Sequence, residues 1–98
     1  MNELTSKQRK ILEKAAHKLN PVVIIGQNGV TDSLTKMVDA TLQAHELIKV
    51  KFNEFKEDRH SFASDIAQKT NAALVSIIGN VALFYRQNEN PEKRKFKI

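Results

Sequence analysis

Four residues in this chain have the types and spacing to do chemistry together: Gly26-Gln27-Asn28-Gly29, set between an apolar run, Val22-Val23-Ile24-Ile25, and a helix-like run that begins near Thr31. Glycine takes positive φ without strain and lets a ligand approach the backbone with no Cβ in the way. Several amide N–H groups of such a loop can then converge on one anion. The helix that follows adds its own unpaired N–H groups and the positive end of its dipole. Gln27 and Asn28 each donate and accept hydrogen bonds, which suits ribose hydroxyls or base edges beside a phosphate held by the loop. Thr31 either caps the helix or touches phosphate. The competing reading is that Asn28-Gly29 only makes a turn.

A phosphate-gripping loop needs positive charge around it. At about 100° per residue, Lys7, Lys10, Lys14 and Lys18 fall within roughly a quarter of one helix circumference, clear of its apolar stripe, and only Glu13 interrupts that helix with negative charge. Lys49 and Lys51 on a strand, Arg86 near the end of another, and the cluster Lys93-Arg94-Lys95 are further candidates for phosphate contacts. Each also has an ordinary explanation: a solvated helix face, strand lysines that discourage edge pairing, or a solubilising tail. Other chemistry finds no support. His17, His45 and His60 lack metal-ligand spacing, cysteine is absent, and Asp58, His60 and Ser61 are sequence neighbours that cannot face one another as orienter, base and nucleophile. Neither an enzyme, nor a metal site, nor a cofactor is expected. Tyr85, Phe84 and Phe62 could offer stacking surfaces for bases, though aromatics in such apolar stretches are usually core.

The elements that must position these groups follow from capping and periodicity. Thr5-Ser6-Lys7-Gln8 is a capping box opening a helix whose apolar residues are Leu4, Ile11, Leu12, Ala15, Ala16 and Leu19, ended by Asn20-Pro21. The β-branched run 22–25 suits a strand covered on both sides. A second helix runs from Thr31 or Asp32 to about His45 with Leu34, Met37, Val38, Thr41, Leu42 and His45 on one face. Residues 46–52 then switch to period two, with Ile48, Val50 and Phe52 on one side and Leu47, Lys49 and Lys51 on a side that meets water. A third helix buries Phe62, Ala63, Ile66 and Ala67 and stops at Asn71 in the left-handed conformation. Residues 74–78 and 81–85 form a hairpin about Gly79-Asn80. The order is α-β-α-β-α-β-β: an α/β fold with a four-stranded mixed sheet and helical cover, strands one to three parallel where they adjoin and strand four reversed.

Length and charge bound the rest. Ninety-eight residues make one domain, assigned to 1–87, with 88–98 as a basic tail. A net charge of +5 favours a polyanionic partner, nucleic acid first, and no apolar run approaches the roughly 18 residues of a membrane span. The first residues lack a signal peptide's layout, so a cytoplasmic setting is expected, and a monomer is expected as well.

The span from Pro21 through Gly26-Gln27-Asn28-Gly29-Val30-Thr31 to His45-Glu46-Leu47-Ile48-Lys49-Val50-Lys51 closely resembles the CRM (chloroplast RNA splicing and ribosome maturation) domain family, in its short stand-alone bacterial form of the YhbY type. The resemblance extends to Leu4-Thr5-Ser6-Lys7-Gln8-Arg9 and to Ile78-Gly79-Asn80-Val81-Ala82-Leu83-Phe84-Tyr85-Arg86. One departure is Asn71, where such sequences often carry glycine. The resemblance implies an RNA-binding domain, similar in fold to the C-terminal domain of translation initiation factor three, that associates with ribosomal RNA in large-subunit precursors and assists ribosome assembly. It further implies an RNA-contacting loop at Gly26, Gln27, Asn28 and Gly29 and a basic first helix at Lys7, Lys10, Lys14 and Lys18. The alternative is a ribosome-associated protein-interaction module with no direct RNA contact. KH domains spell their loop the same way, but there it joins two helices, whereas here a strand precedes it.

Overall fold

A computed structural model describes residues 3–98 of the chain. The first helix, α1 (Ser6–Ala16), starts at the expected capping box: Thr5 Oγ1 accepts from the Gln8 amide at 3.1 Å, and Gln8 Oε1 accepts from the Thr5 amide at 3.0 Å. It stops earlier than Asn20-Pro21. The His17 amide turns back to the Lys14 carbonyl and the Leu19 amide to the Ala16 carbonyl, a tight turn that carries Leu19 into the core beneath the helix. Lys18 is therefore a turn residue and not part of the helical lysine stripe.

The four expected strands form: β1 (Val23–Ile25), β2 (Leu47–Phe52), β3 (Ala73–Ile78) and β4 (Val81–Tyr85). Their order across the sheet is β1-β2-β4-β3, with β1 parallel to β2 and β4 antiparallel to both β2 and β3. The helices α2 (Asp32–His45) and α3 (Arg59–Thr70) pack against one face, where Ile25, Val38, Leu42, Val50, Phe52, Ile66 and Phe84 form the larger core. Asn71 ends α3 with φ 54°, the left-handed conformation that asparagine tolerates.

On the other face α1 covers β2, β4 and β3, and Leu12, Ala16, Leu47, Val75, Leu83 and Tyr85 make a second, smaller core. Two expectations change here. Leu47 does not meet water, because α1 and the C-terminal segment lie over it. Conversely, β1 is an edge strand that α1 does not cover, so Val22 and Ile24 stand 46% and 54% exposed instead of being sandwiched.

The segment 88–98, expected as a tail, folds back onto this second core. Its anchor is Glu46, which caps α2 with φ 64° and is buried, its carboxylate accepting from the amides of Asn88 (2.6 Å) and Lys95. Arg94 Nε donates to the Asn88 carbonyl, Phe96 meets Tyr85 edge-on at 6.0 Å, and Ile98 joins the apolar cluster. Among the described residues no helix is long and apolar enough to cross a membrane.

Candidate nucleic-acid interface

The loop 26–29 leaves the sheet where β1 ends and delivers the chain to α2. Its base is braced from the bend that follows β2: the amides of Asn53 and Glu54 both donate to the Ile25 carbonyl. The loop closes as a turn in which the Gly29 amide donates to the Gly26 carbonyl at 3.1 Å. That consumes one of its N–H groups. Among the described residues, the amides of Gln27 and Asn28 have no acceptor, and both side chains are exposed.

The two glycines are there for different reasons. Gly29 has φ +67°, which glycine takes without strain, so the backbone favours glycine there, while an added Cβ would meet the Phe55 ring at an ordinary 3.5 Å. Gly26 has no positive φ, and a Cβ added to it would meet nothing within 4 Å. The fold makes no demand for glycine at that position.

Thr31 caps α2, its Oγ1 accepting from the Leu34 amide at 3.1 Å, and remains exposed. Asp32 places a carboxylate in the first turn of the same helix, so the helix terminus is not a bare positive pole. On the α3 side the loop abuts Phe55, a half-exposed residue in the left-handed conformation (φ 56°) whose ring tilts against Phe62 at 5.3 Å. Phe55 escapes sequence reasoning because it sits in a polar stretch with no periodicity. Tyr85 and Phe84, the aromatics that stood out by sequence, are fully buried.

Of the candidate cations, Lys51 lies nearest the loop in register. It pairs with Ile24, two residues before Gly26, and continues as a row through Val81 to Ile78 on the face that α1 partly covers. Lys7, Lys10 and Lys14 are exposed along α1, which lies over the same face further along the strands. Lys49 is otherwise engaged: it is half-buried and its Nζ donates to the Leu19 carbonyl at 2.9 Å, fastening the turn after α1. Arg86 is also committed within the fold. Its guanidinium donates to Asp39 Oδ1 at 2.6 Å and to the Thr70 carbonyl at 2.7 Å, at the end of the sheet away from the loop. The sheet therefore gathers the glycine loop and Lys51 at one end, with the α1 lysines on the adjoining face, and sets Arg86 apart. Among the described residues no group of three His, Cys, Asp or Glu is placed to hold a metal.

Residues 4–86 match the family model of the CRS1 / YhbY (CRM) domain. The chain belongs to the CRM domain family. It is 39% identical over 90 residues to an RNA-binding protein of Haemophilus influenzae, covering 91% of each chain. It is 36% identical over 96 residues to a Pseudomonas aeruginosa protein named as a probable RNA-binding protein, covering 97% of this chain and 92% of that one. A protein structure from Staphylococcus aureus, determined in solution and described as that of a candidate RNA-binding protein, superimposes with a TM-score of 0.79 at 32% identity. That match covers 97% of this chain and all of the other. The family match stops at Arg86, so the segment anchored by Glu46 lies beyond it.

Proposed function

We propose that this CRM-domain protein binds RNA through the backbone of loop 26–29, and that its target is ribosomal RNA in precursors of the large subunit, whose assembly it assists. The observation that carries the RNA contact is Gly26. Neither backbone conformation nor packing calls for glycine there, and its lack of a side chain leaves the backbone beside the free amides of Gln27 and Asn28 open to a phosphate. The names of the relatives support RNA as the ligand. Ribosomal RNA is supported by the family resemblance carried by the loop and by the residues that flank it.

Charge gives the approach a direction. On the α3 side of the loop the exposed stretch 53–58 carries Glu54, Glu57 and Asp58 against one lysine, Lys56, while the α1 side carries Lys51 and, further along, Lys14, Lys10 and Lys7. A phosphate backbone is repelled by the first and attracted by the second. We therefore place the RNA over the loop, with Gln27 and Asn28 against ribose or base edges, and along the exposed side of α1. Thr31 contributes its cap and leaves its hydroxyl hydrogen free to donate.

Crosslinking in cells, followed by sequencing of the attached RNA, tests the target. Reads concentrated in large-subunit precursor RNA, and lost in a Gly26→Asp variant, are the expected outcome; an even spread over cellular RNA would reject the ribosomal assignment. Association with ribosomal particles that survives nuclease and high salt would instead favour a protein-docking module.

A further inference from the structure

A second concavity lies where the turn after α1, the end of α2 and the C-terminal segment meet, away from the loop. Its cavity is about 320 Å³, within the range of sites that hold a small ligand. The walls are apolar, from Leu19, Val22 and Phe96, and the rim is basic: Lys18, His45 and Lys95 are all exposed there. Among the described residues no carboxylate side chain lines it. The acid next in sequence, Glu46, is turned inward and held by the Asn88 and Lys95 amides. The partly buried Phe96 is fixed by its edge-on contact with Tyr85, which holds its ring in place as one wall of the cleft.

We infer that this cleft takes an unpaired base of single-stranded RNA, with the flanking phosphates on Lys18 and Lys95. The reading rests on RNA being the ligand of the loop, and it adds a second point of contact. An apolar pocket with an aromatic wall accepts a base of any sequence, because every base has a π-face, while a rim of positive charge selects for a polyanion over an apolar peptide. Two of the contributors, Lys95 and Phe96, come from the segment beyond the family match, so the contact would lie outside the span that the family model covers.

The test compares two RNA hairpins with identical stems, one blunt and one ending in a five-nucleotide single-stranded overhang carrying 2-aminopurine, bound to the full chain. The overhang should tighten binding by about five- to tenfold through stacking and should quench the 2-aminopurine. Lys18→Gln with Lys95→Gln, and separately Phe96→Leu, which keeps apolar bulk but removes the ring, should erase most of that advantage. Phe96→Leu should leave affinity for the blunt hairpin unchanged, and the lysine pair should weaken the overhang hairpin more than the blunt one, with melting temperatures confirming that each variant is folded. Gly26→Asp should weaken both hairpins alike, so a failure of the loop reading is distinguishable from a failure of the cleft. An overhang that gives no tightening, or a tightening that survives in both folded cleft variants, would overturn the inference.

Discussion

Gly26 and Gly29 are the same residue type in the same loop with opposite reasons for being glycine, and stability measurements separate them. Gly29→Ala forces an L-residue to hold φ near +67°, which costs roughly 1–2 kcal/mol; its denaturant midpoint should fall accordingly. Gly26→Ala meets no atom and no forbidden φ. It should unfold no more easily than the parent, and can gain a few tenths up to about 1 kcal/mol from the stiffer unfolded chain. Equal destabilisation by both would mean that Gly26 serves the fold. Tyr85 offers a second prediction. Its hydroxyl is buried with no hydrogen-bond partner among the described residues, and burial, then the nearby Glu46 carboxylate, raise its pKa above 10, against a lowering contribution from Arg94. The folded state thus keeps the phenol proton at pH values where the unfolded chain releases it, so stability is full below pH 10 and declines as pH rises from there. Tyr85→Phe should match or exceed the parent's stability at neutral pH, having removed an unsatisfied polar group. It should also lose less stability in unfolding titrations above pH 10.

Among the elements, the helices and the hairpin were legible because their signals are local. A capping box, a Gly-Asn turn and an asparagine stop each depend on residues within one or two turns of chain. The edge position of β1 and the order of segment 88–98 were not, since both depend on distant partners. Whether Ile24 is covered depends on how far α1 reaches across the sheet, and the C-terminal segment is held by a carboxylate more than forty positions earlier, Glu46 to Asn88 and Lys95. A polar, basic stretch with no periodicity carries no trace of that anchor. The coupling is measurable. Glu46→Ala should cost about 1.5–3 kcal/mol for each charged hydrogen bond that is not replaced, and removal of 88–98 should also destabilise by uncovering the second core. Combined, the two should cost less than their sum, because they remove the same interactions. Full additivity in a double-mutant cycle would show that the anchor and the segment act independently.

For the whole molecule, the candidate site was half legible in the sequence. The glycine spacing and the lysine stripe of α1 could be read directly, but Lys18 left the stripe when the helix ended early, and Lys49 and Arg86 proved to be tied to carbonyls and, for Arg86, to Asp39. Side-chain type announces a charge without announcing what satisfies it. The charge that remains free predicts a binding constant that falls steeply with salt. Four to six neutralised phosphates give a log-log slope on the order of −3 to −5. Lys7, Lys10 or Lys14 changed to Ala should each shallow it by roughly one unit, for the phosphate no longer neutralised, whereas Arg86→Ala should leave it unchanged in folded protein. Unaltered slopes in all three lysine variants would remove α1 from the interface.

The most direct measurement is the affinity of Gly26→Asp for a large-subunit ribosomal RNA fragment, taken alongside its melting temperature. RNA held on the backbone of loop 26–29 predicts that binding is lost, by a hundredfold or about 2.7 kcal/mol or more, while the melting temperature stays that of the parent. Parental affinity in the folded variant would contradict it.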